Sequence, residues 1–439
     1  MNSFIINGPG VLRGSISLPG DKSISHRAVI LGAIAQGPTM IKGLLESEDV
    51  LSTVDALRNM GVKIDHHKEE GMVIEGVGLY GLKDPGQSLN MGNSGTAMRL
   101  MAGVLAGQSF PSTLVGDDSL SQRPMSRVVE PLLALGADIS VQNTGYPPIQ
   151  IKPVKRLKGV DYVMPVASAQ VKSAFLLAAL CADGASRVKE PEQTRDHTER
   201  MLRGFGHSVS QQGDWISVMG GKELAGAKVV VPGDLSSAAF FIVGAAIAVE
   251  SELILKNVGV NSTRTGVIEI LRKMGASIDY LNENTICGEP TADLVVSSSP
   301  LRGVKIESHQ VARAIDEFPI LSIAAACARG KTTLHGAEEL RVKESDRIRS
   351  IVSGLNELGI SVEERPDGYS VTGGEISPGE VNSRSDHRIA MAFAIAGLVV
   401  SGSICIKDTL NVRTSFPGFV ELAASIGLQI YEQSGSHRG

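Results

Sequence analysis

Aromatic residues are scarce in this chain: they make up 4% of its 439 positions, with a single tryptophan, whereas glycine occurs 49 times. A core with few rings is filled by aliphatic side chains, and Ala/Gly-rich helices pack closely. Cysteine is rarer still, and Cys181, Cys287, Cys327 and Cys405 stand far apart. That pattern fits structural thiols in a reducing cytoplasm rather than a disulfide framework. No Cys-x-x-Cys or His-Glu-x-x-His is present, so a metal site has no support. The longest apolar run, Ala238 to Val249, suits a core helix and is too short to span a bilayer. The first residues lack the basic segment of a secretory signal, so a cytoplasmic location is expected. Net charge is only −5, which gives no global pull toward nucleic acid or membrane. An anion site must therefore be a local cluster of cations. The length allows two or three domains.

One such cluster is Gly20-Asp21-Lys22-Ser23-Ile24-Ser25-His26-Arg27, which runs into an apolar stretch from Ala28 to Ala35. Ser23 is the expected N-cap, which would gather Lys22, Ser23 and Arg27 at a helix N-terminus. Unpaired N–H groups and the helix dipole there attract phosphate or carboxylate. A capped helix with solvated charges is the alternative that the local sequence leaves open.

The same architecture recurs. Six segments end in an amphipathic helix, a glycine and a short strand, around Gly61, Gly136, Gly206, Gly275, Gly359 and Gly427, at a spacing of about 70 residues. Each glycine sits where a left-handed C′ residue is expected. Each unit also opens alike, with a polar turn before an apolar helix. The openings are Lys22-Ser23, Asn93 to Thr96, Ser168 to Gln170, Asp234 to Ser237, Asp316-Glu317 and Asp386 to Arg388. Helices that are apolar all round belong inside, while charged-face helices such as Ser47 to Met60 and Glu344 to Leu358 belong outside. Strands such as Val229 to Val231 and Ser403 to Ile406 complete an α/β unit.

A unit that cannot bury its own face must associate with its neighbours. Two groups of three are expected: residues 20–233 as a first domain, and 1–19 with 234–439 as a second. The two crossovers would form a hinge, and six positive helix ends would line an interdomain cleft. The tail Gln433 to Gly439 is expected to fray.

Three motifs fail on context. Gly76-Val77-Gly78-Leu79-Tyr80-Gly81 matches a dinucleotide fingerprint but leads into Lys83-Asp84-Pro85-Gly86 rather than a helix. Gly330-Lys331-Thr332 resembles the end of a P-loop but lacks its first glycine. His66 and His67, followed by Lys68-Glu69-Glu70, read as a solvated turn.

Further cations stand at turns or helix starts. Gly95 and Asn93 lie in the bare segment Gly92 to Arg99, and Arg123 precedes a helix with Pro124 in its expected first turn. Arg195 and Arg388 add guanidiniums at openings. Arg341 to Arg347 mixes cations and carboxylates, and Asp316 brings a carboxylate to the fifth opening.

Leu18 to Arg27, Gly92 to Arg99, Arg341 to Arg347 and Asp386 to Met391 together resemble the signatures of the 5-enolpyruvylshikimate-3-phosphate synthase family. Val166 to Ser173 and Thr194 to Glu199 are similar to its second bacterial class. The resemblance spans Pro19 to about Pro417. It implies a two-domain inside-out α/β barrel, with helices inside and sheets outside. It also implies transfer of an enolpyruvyl group from phosphoenolpyruvate to shikimate 3-phosphate, with no cofactor, by a monomer. By position, Lys22, Ser23, Arg27, Ser168, Gln170, Asp316 and Lys343 match groups that hold shikimate 3-phosphate. Lys22, Gly95, Arg123, Gln170, Arg347 and Arg388 match groups that hold phosphoenolpyruvate. Asn93 and Arg195 are further candidates, assigned to neither substrate. Asp316 is the implied base at the 5-hydroxyl, and Lys343 and Glu344 would shuttle the methylene proton. Glyphosate competes with phosphoenolpyruvate in the family. Insensitive members of the second class carry alanine where this chain has Gly95, so sensitivity is implied.

One position departs from the family pattern. Many members have a lysine where this chain has Thr414, and Arg413 or Lys407 is a candidate replacement for its charge. Two other readings stay open. The sister transferase acting on UDP-N-acetylglucosamine usually has a cysteine in the loop corresponding to Pro111 to Arg123, where this chain has none. A non-catalytic repeat scaffold would not need cations at the openings of buried helices.

Overall fold

The computed structural model describes residues 2–67 and 71–434. Lys68 to Glu70, and the tail beyond residue 434, lie outside the described residues. The chain forms two compact units. One comprises Gly20–Val231 with Thr285–Glu289, and the other Met1–Pro19, Pro232–Asn284 and Pro290–Gly439. Thr285–Glu289 is the tip of the hairpin formed by Ser277–Ile286 and Glu289–Ser297, an excursion absent from the boundaries read in the sequence. Each unit has its own apolar core.

Six times an inner helix precedes an outer one. In the first-named unit, α1 (Lys22–Ile34) precedes α2 (Glu48–Asn59), α3 (Gly95–Leu105) precedes α4 (Ser126–Ala134), and α5 (Ala169–Ala179) precedes α6 (His197–Gly204). In the other, α7 (Leu235–Ile247) precedes α8 (Gly266–Met274), and a short α9 (Ser308–Ala314) leads into α10 (Phe318–Cys327) and α11 (Arg347–Glu357). There α12 (His387–Ala396) precedes α13 (Phe419–Ser425). Inner helices have no polar face and are enclosed: α1 is buried from Ile24 to Ile34, and α7 from Leu235 to Ala246. Outer helices bury one stripe, as in α8, where Ile270 and Leu271 are buried and Arg272 and Lys273 are exposed. Among the described residues no helix is long and apolar enough to cross a membrane.

All six closing glycines have positive φ, from 80° at Gly206 to 117° at Gly427, so each outer helix ends in the left-handed turn that aims the next strand. The strands form small sheets that stay separate and do not close into one barrel among the described residues. Several sheets are completed from elsewhere in the chain. Lys228–Val230 lies parallel to Ala35–Lys42, with Val229 opposite Ile41. Arg13–Ser17 lies parallel to Glu252–Gly259, and Ser3–Gly8 runs antiparallel to both Gly402–Lys407 and Gln429–Gln433.

Local corrections follow from backbone geometry. Asp21, not Ser23, caps α1: its Oδ1 accepts the Ile24 N–H at 2.9 Å, so the helix begins one residue before Ser23. The helix read from Glu344 begins at Arg347, because Asp346 caps it through the Arg349 N–H (3.0 Å) after a 3-10 turn at Glu338–Val342. Pro124 stands outside α4, whose N-cap is Met125. His66 and His67 are on a strand, Lys63–His67, rather than in a turn. Apolar runs overstate helix length: α5 stops at Ala179 and α7 at Ile247, and α12 stops at Ala396, where a 3-10 turn follows.

Two glycines separate backbone strain from steric packing. A Cβ at Gly136 (φ +89°) would meet nothing within 4 Å, whereas one at Gly103 on α3 would lie 2.3 Å from the Ala174 carbonyl oxygen of α5. Gly136→Ala is expected to cost about 1–2 kcal/mol, the left-handed penalty, with Gly136→Asn milder. Gly103→Ala should cost more, since two backbones must separate. Urea midpoints of the three variants test this ranking, and equal midpoints for the two alanine variants would contradict it.

Candidate active site

The first-named unit gathers cations around the starts of α1, α3 and α5. Lys22, in the first turn of α1, pairs with Asp49 of α2. Arg27 is buried one turn on. Its Nη1 donates to the Ser23 carbonyl at 2.9 Å, its Nε to Thr198 Oγ1 at 2.7 Å and its Nη2 to Ser173 Oγ at 2.7 Å. Burial lowers its guanidinium to about 10, against the opposing pull of Glu199 and Asp21, and Arg195 adds to the lowering. His26 is fully enclosed, with Nδ1 2.8 Å from Thr53 Oγ1. Burial, with Lys22 and Arg27 beside it, holds its pKa well below the ordinary histidine value.

Ser94 caps α3 through the Ala97 N–H (3.1 Å) and also lies 3.4 Å from His26 Nε2, and Ser168 caps α5 through the Val171 N–H (3.4 Å). Gln170 ties the two helix starts together. Its Oε1 accepts from Arg99 Nη1 at 2.6 Å, and its Nε2 donates to Thr96 Oγ1 at 2.8 Å. Arg123 donates through Nη2 to Asn93 Oδ1 at 2.9 Å, and Asn93 donates on to Asp117 at 2.8 Å. Gly95 lies under both guanidiniums: a Cβ there would sit 2.7 Å from Arg99 Nη1 and 3.2 Å from Arg123 Nη1. Arg195 is half-buried in the loop before α6.

The other unit holds a cluster in which cations and carboxylates interlock. Arg347 is fully buried among three carboxylates. Its Nε is 2.8 Å from Asp386 Oδ2, its Nη2 2.5 Å from Glu344 Oε2 and its Nη1 3.5 Å from Asp316 Oδ1. Burial would strip its charge, but Asp386, Glu344 and Asp316 outweigh it and raise its pKa. Arg388 approaches the other oxygen of Asp316 at 3.8 Å and donates to the Asp316 carbonyl at 3.3 Å. Lys343 stands 3.8 Å from Glu339. Burial pushes its ammonium below the ordinary lysine value, against Asp316 and Glu339 and with help from Arg347. Lys343, Arg347 and Arg388 thus stand against Asp316, Glu339, Glu344 and Asp386, three cations to four carboxylates.

Thr414 is buried in a 3-10 turn, its hydroxyl donating to the Asn411 carbonyl at 2.7 Å. Both cations considered in its place are already paired, Arg413 with Glu432 at 3.1 Å and Lys407 with Glu380 at 2.5 Å. Burial pushes the thiols of Cys181 and Cys327 up to about 12, far from nucleophilic character. Among the described residues no group of three or more His, Cys, Asp or Glu side chains is placed to hold a metal.

Asp49, Thr198, Ser173 and Asp386 were not legible as site partners. Asp49, Thr198 and Asp386 are ordinary cap or first-turn residues and Ser173 an ordinary second-turn one, and only the packing of helices shows which cation each holds. Ser173, Thr198 and Asp386 stood in recognised motifs, but nothing local paired Asp386 with Arg347, 39 residues away.

Residues 6–422 match the family described as EPSP synthase (3-phosphoshikimate 1-carboxyvinyltransferase). The chain is 55% identical over 424 residues to the 3-phosphoshikimate 1-carboxyvinyltransferase of Methylococcus capsulatus, covering 96% of this chain and 97% of that one. It is 53% identical over 434 residues to that of Legionella pneumophila strain Lens, covering 99% and 100%. A solved EPSP synthase from Acinetobacter baumannii superposes with a TM-score of 0.88 at 50% identity, over 99% of this chain and 100% of that one. The enolpyruvyl transferase NikO from Streptomyces tendae, at 16% identity and a TM-score of 0.79 over 99% of both chains, shares the fold. The chain belongs to the EPSP synthase family.

Proposed function

We infer that this chain transfers the enolpyruvyl group of phosphoenolpyruvate to the 5-hydroxyl of shikimate 3-phosphate and releases inorganic phosphate, a step toward aromatic amino acids. It acts in the cytoplasm as a monomer. The observation that carries the mechanism is Asp316, a carboxylate beside two guanidiniums, with its charge felt by Lys343 and with Glu344 sharing Arg347. Two multiply charged anions must meet, so cations have to offset their repulsion. Lys22, Ser23, Arg27, Ser168 and Gln170, with Arg195, hold shikimate 3-phosphate, joined by Asp316 and Lys343. Arg123, steadied by Asn93, holds phosphoenolpyruvate with Lys22, Gln170, Arg347 and Arg388, and Gly95 leaves room for it.

Asp316 takes the 5-hydroxyl proton as that oxygen attacks C2 of phosphoenolpyruvate, and the C3 methylene gains a proton from Lys343 or Glu344. The resulting ketal then loses phosphate and a C3 proton, restoring the double bond. A lysine whose pKa is lowered releases its proton more readily, which suits Lys343 to this shuttle.

Mixing the chain with both substrates should release phosphate, and UDP-N-acetylglucosamine in place of shikimate 3-phosphate should not. Asp316→Asn is expected to lower kcat by roughly a hundredfold or more while shikimate 3-phosphate still binds. Near-wild-type turnover in that variant would remove Asp316 from the role.

If Lys343 acts as its ammonium, kcat/KM must fall as pH rises through a pKa below the usual 10.5. Lys343→Arg, whose guanidinium stays charged there, should move that limb to higher pH, and a pH profile with an unmoved limb would assign it to another group.

A methyl at position 95 would press on the movable ends of Arg99 and Arg123 rather than on backbone. Gly95→Ala should therefore weaken glyphosate more than phosphoenolpyruvate, by about 1–3 kcal/mol of discrimination. An unchanged ratio of inhibition constant to KM would refute this steric account.

A further inference from the structure

Lys172 lies on the helix α5, which is buried from Val171 to Ala179, and is itself 1% exposed, yet it has no part in the mechanism above. Its ammonium is 2.8 Å from Glu199 Oε1, 3.0 Å from Glu190 Oε1 and 3.5 Å from the Thr194 carbonyl. Burial would strip its proton, but Glu199 and Glu190 more than reverse that and raise its pKa, so it remains a cation.

Two routes lead from this charge to the cations at the helix starts. Along the first, Glu190 also accepts the Thr194 N–H at 2.9 Å and the Thr194 hydroxyl at 2.6 Å. With its carbonyl held by Lys172, every polar group of Thr194 is tied, and the next residue is Arg195. Along the second, Glu199 follows Thr198 on α6. Thr198 accepts from Arg27 Nε and donates to Ser173 Oγ, each at 2.7 Å. Ser173, the neighbour of Lys172 on α5, accepts from Arg27 Nη2 and donates to the Ala169 carbonyl at 2.6 Å. Each hydroxyl has one proton to give, so the directions are forced. Three N–H groups of Arg27 are thereby fixed and two are left for a ligand.

We propose that Lys172 is a positioning residue for Arg27 and Arg195. It pins Thr194 and Glu199, and its single charge offsets part of the negative charge of Glu190 and Glu199, of which Glu199 would otherwise compete with an anionic substrate for Arg27. The proposal rests on the reading that Arg27 and Arg195 hold shikimate 3-phosphate. Without the ammonium, the buried Glu199 carboxylate that acts on Arg27 loses its partner, and the local field turns against an incoming dianion.

The test is the Kd of shikimate 3-phosphate, by calorimetry on the full chain, together with steady-state kinetics and Tm. Lys172→Met is expected to bind shikimate 3-phosphate at least tenfold more weakly, with kcat at saturation within about threefold of wild type. Lys172→Met combined with Glu199→Gln should recover part of the affinity, because one uncompensated carboxylate is gone. Thr198→Val leaves every partner of Lys172 in place and should weaken binding several-fold, with a modest fall in Tm because the buried Arg27 Nε–H loses its acceptor. A lysine serving stability alone would lower Tm and leave Kd where it was, and that result overturns the proposal. Should Lys172→Met not fold, an unchanged Kd in Thr198→Val overturns it equally. A wild-type chain that releases no phosphate from the two substrates would instead overturn the activity itself, a result separate from an active enzyme with unmoved affinities.

Discussion

A helix without a polar face has to be enclosed on every side, and six such helices set the terms for this molecule. None of α1, α3, α5, α7, α10 and α12 can be covered by its own repeat alone. The enclosure comes from the outer helices and small sheets, and from strands supplied at a distance, such as Ser3–Gly8 against Gly402–Lys407. The close approach of α3 to α5 at Gly103 is part of the same constraint, because the scarcity of aromatic side chains leaves backbone proximity and aliphatic packing to fill the interior.

Polar chemistry is thereby displaced to the ends of the inner helices. There the first N–H groups have no intrahelical partner, and side chains supply one: Asp21, Ser94, Ser168, Asp234 and Asp386 each accept from the first turn of their helix. The same ends carry the positive pole of the helix, so anion-binding side chains and capping side chains occupy neighbouring positions. Asp386 serves both needs, capping α12 while holding Arg347.

Burial of charge divides the two clusters by character. Around Arg347, three carboxylates enclose one fully buried guanidinium, which is a poor way to gain stability but a strict way to hold geometry. Around Arg27, neutral hydroxyls of Ser173 and Thr198 orient the guanidinium without cancelling its charge. Hydroxyl partners preserve an attraction for anions, and carboxylate partners fix an acid–base constellation. The two environments therefore differ in kind, one leaving a guanidinium open to anions and the other locking carboxylates in place.

The repeats, the all-apolar helices, the six closing glycines and the cation-bearing openings were legible in the amino-acid order, because each rests on local propensity and periodicity. The family signatures were legible for the same reason, as contiguous strings such as Lys22 to Arg27. Helix starts were less secure. Whether Asp21 or Ser23 caps α1 turns on which side chain reaches the Ile24 N–H, and both are good capping residues. Partnerships across the chain were not legible at all. Arg27 with Thr198, Lys172 with Glu199 and Arg347 with Asp386 join residues from different elements, and no periodicity encodes which element packs on which. The sequence by itself determined the repeat, its inner and outer helices and the residue types at each opening. Tertiary structure alone decided which charges face one another, because Coulomb attraction and hydrogen bonding act over a few ångströms of space and are indifferent to separation along the chain.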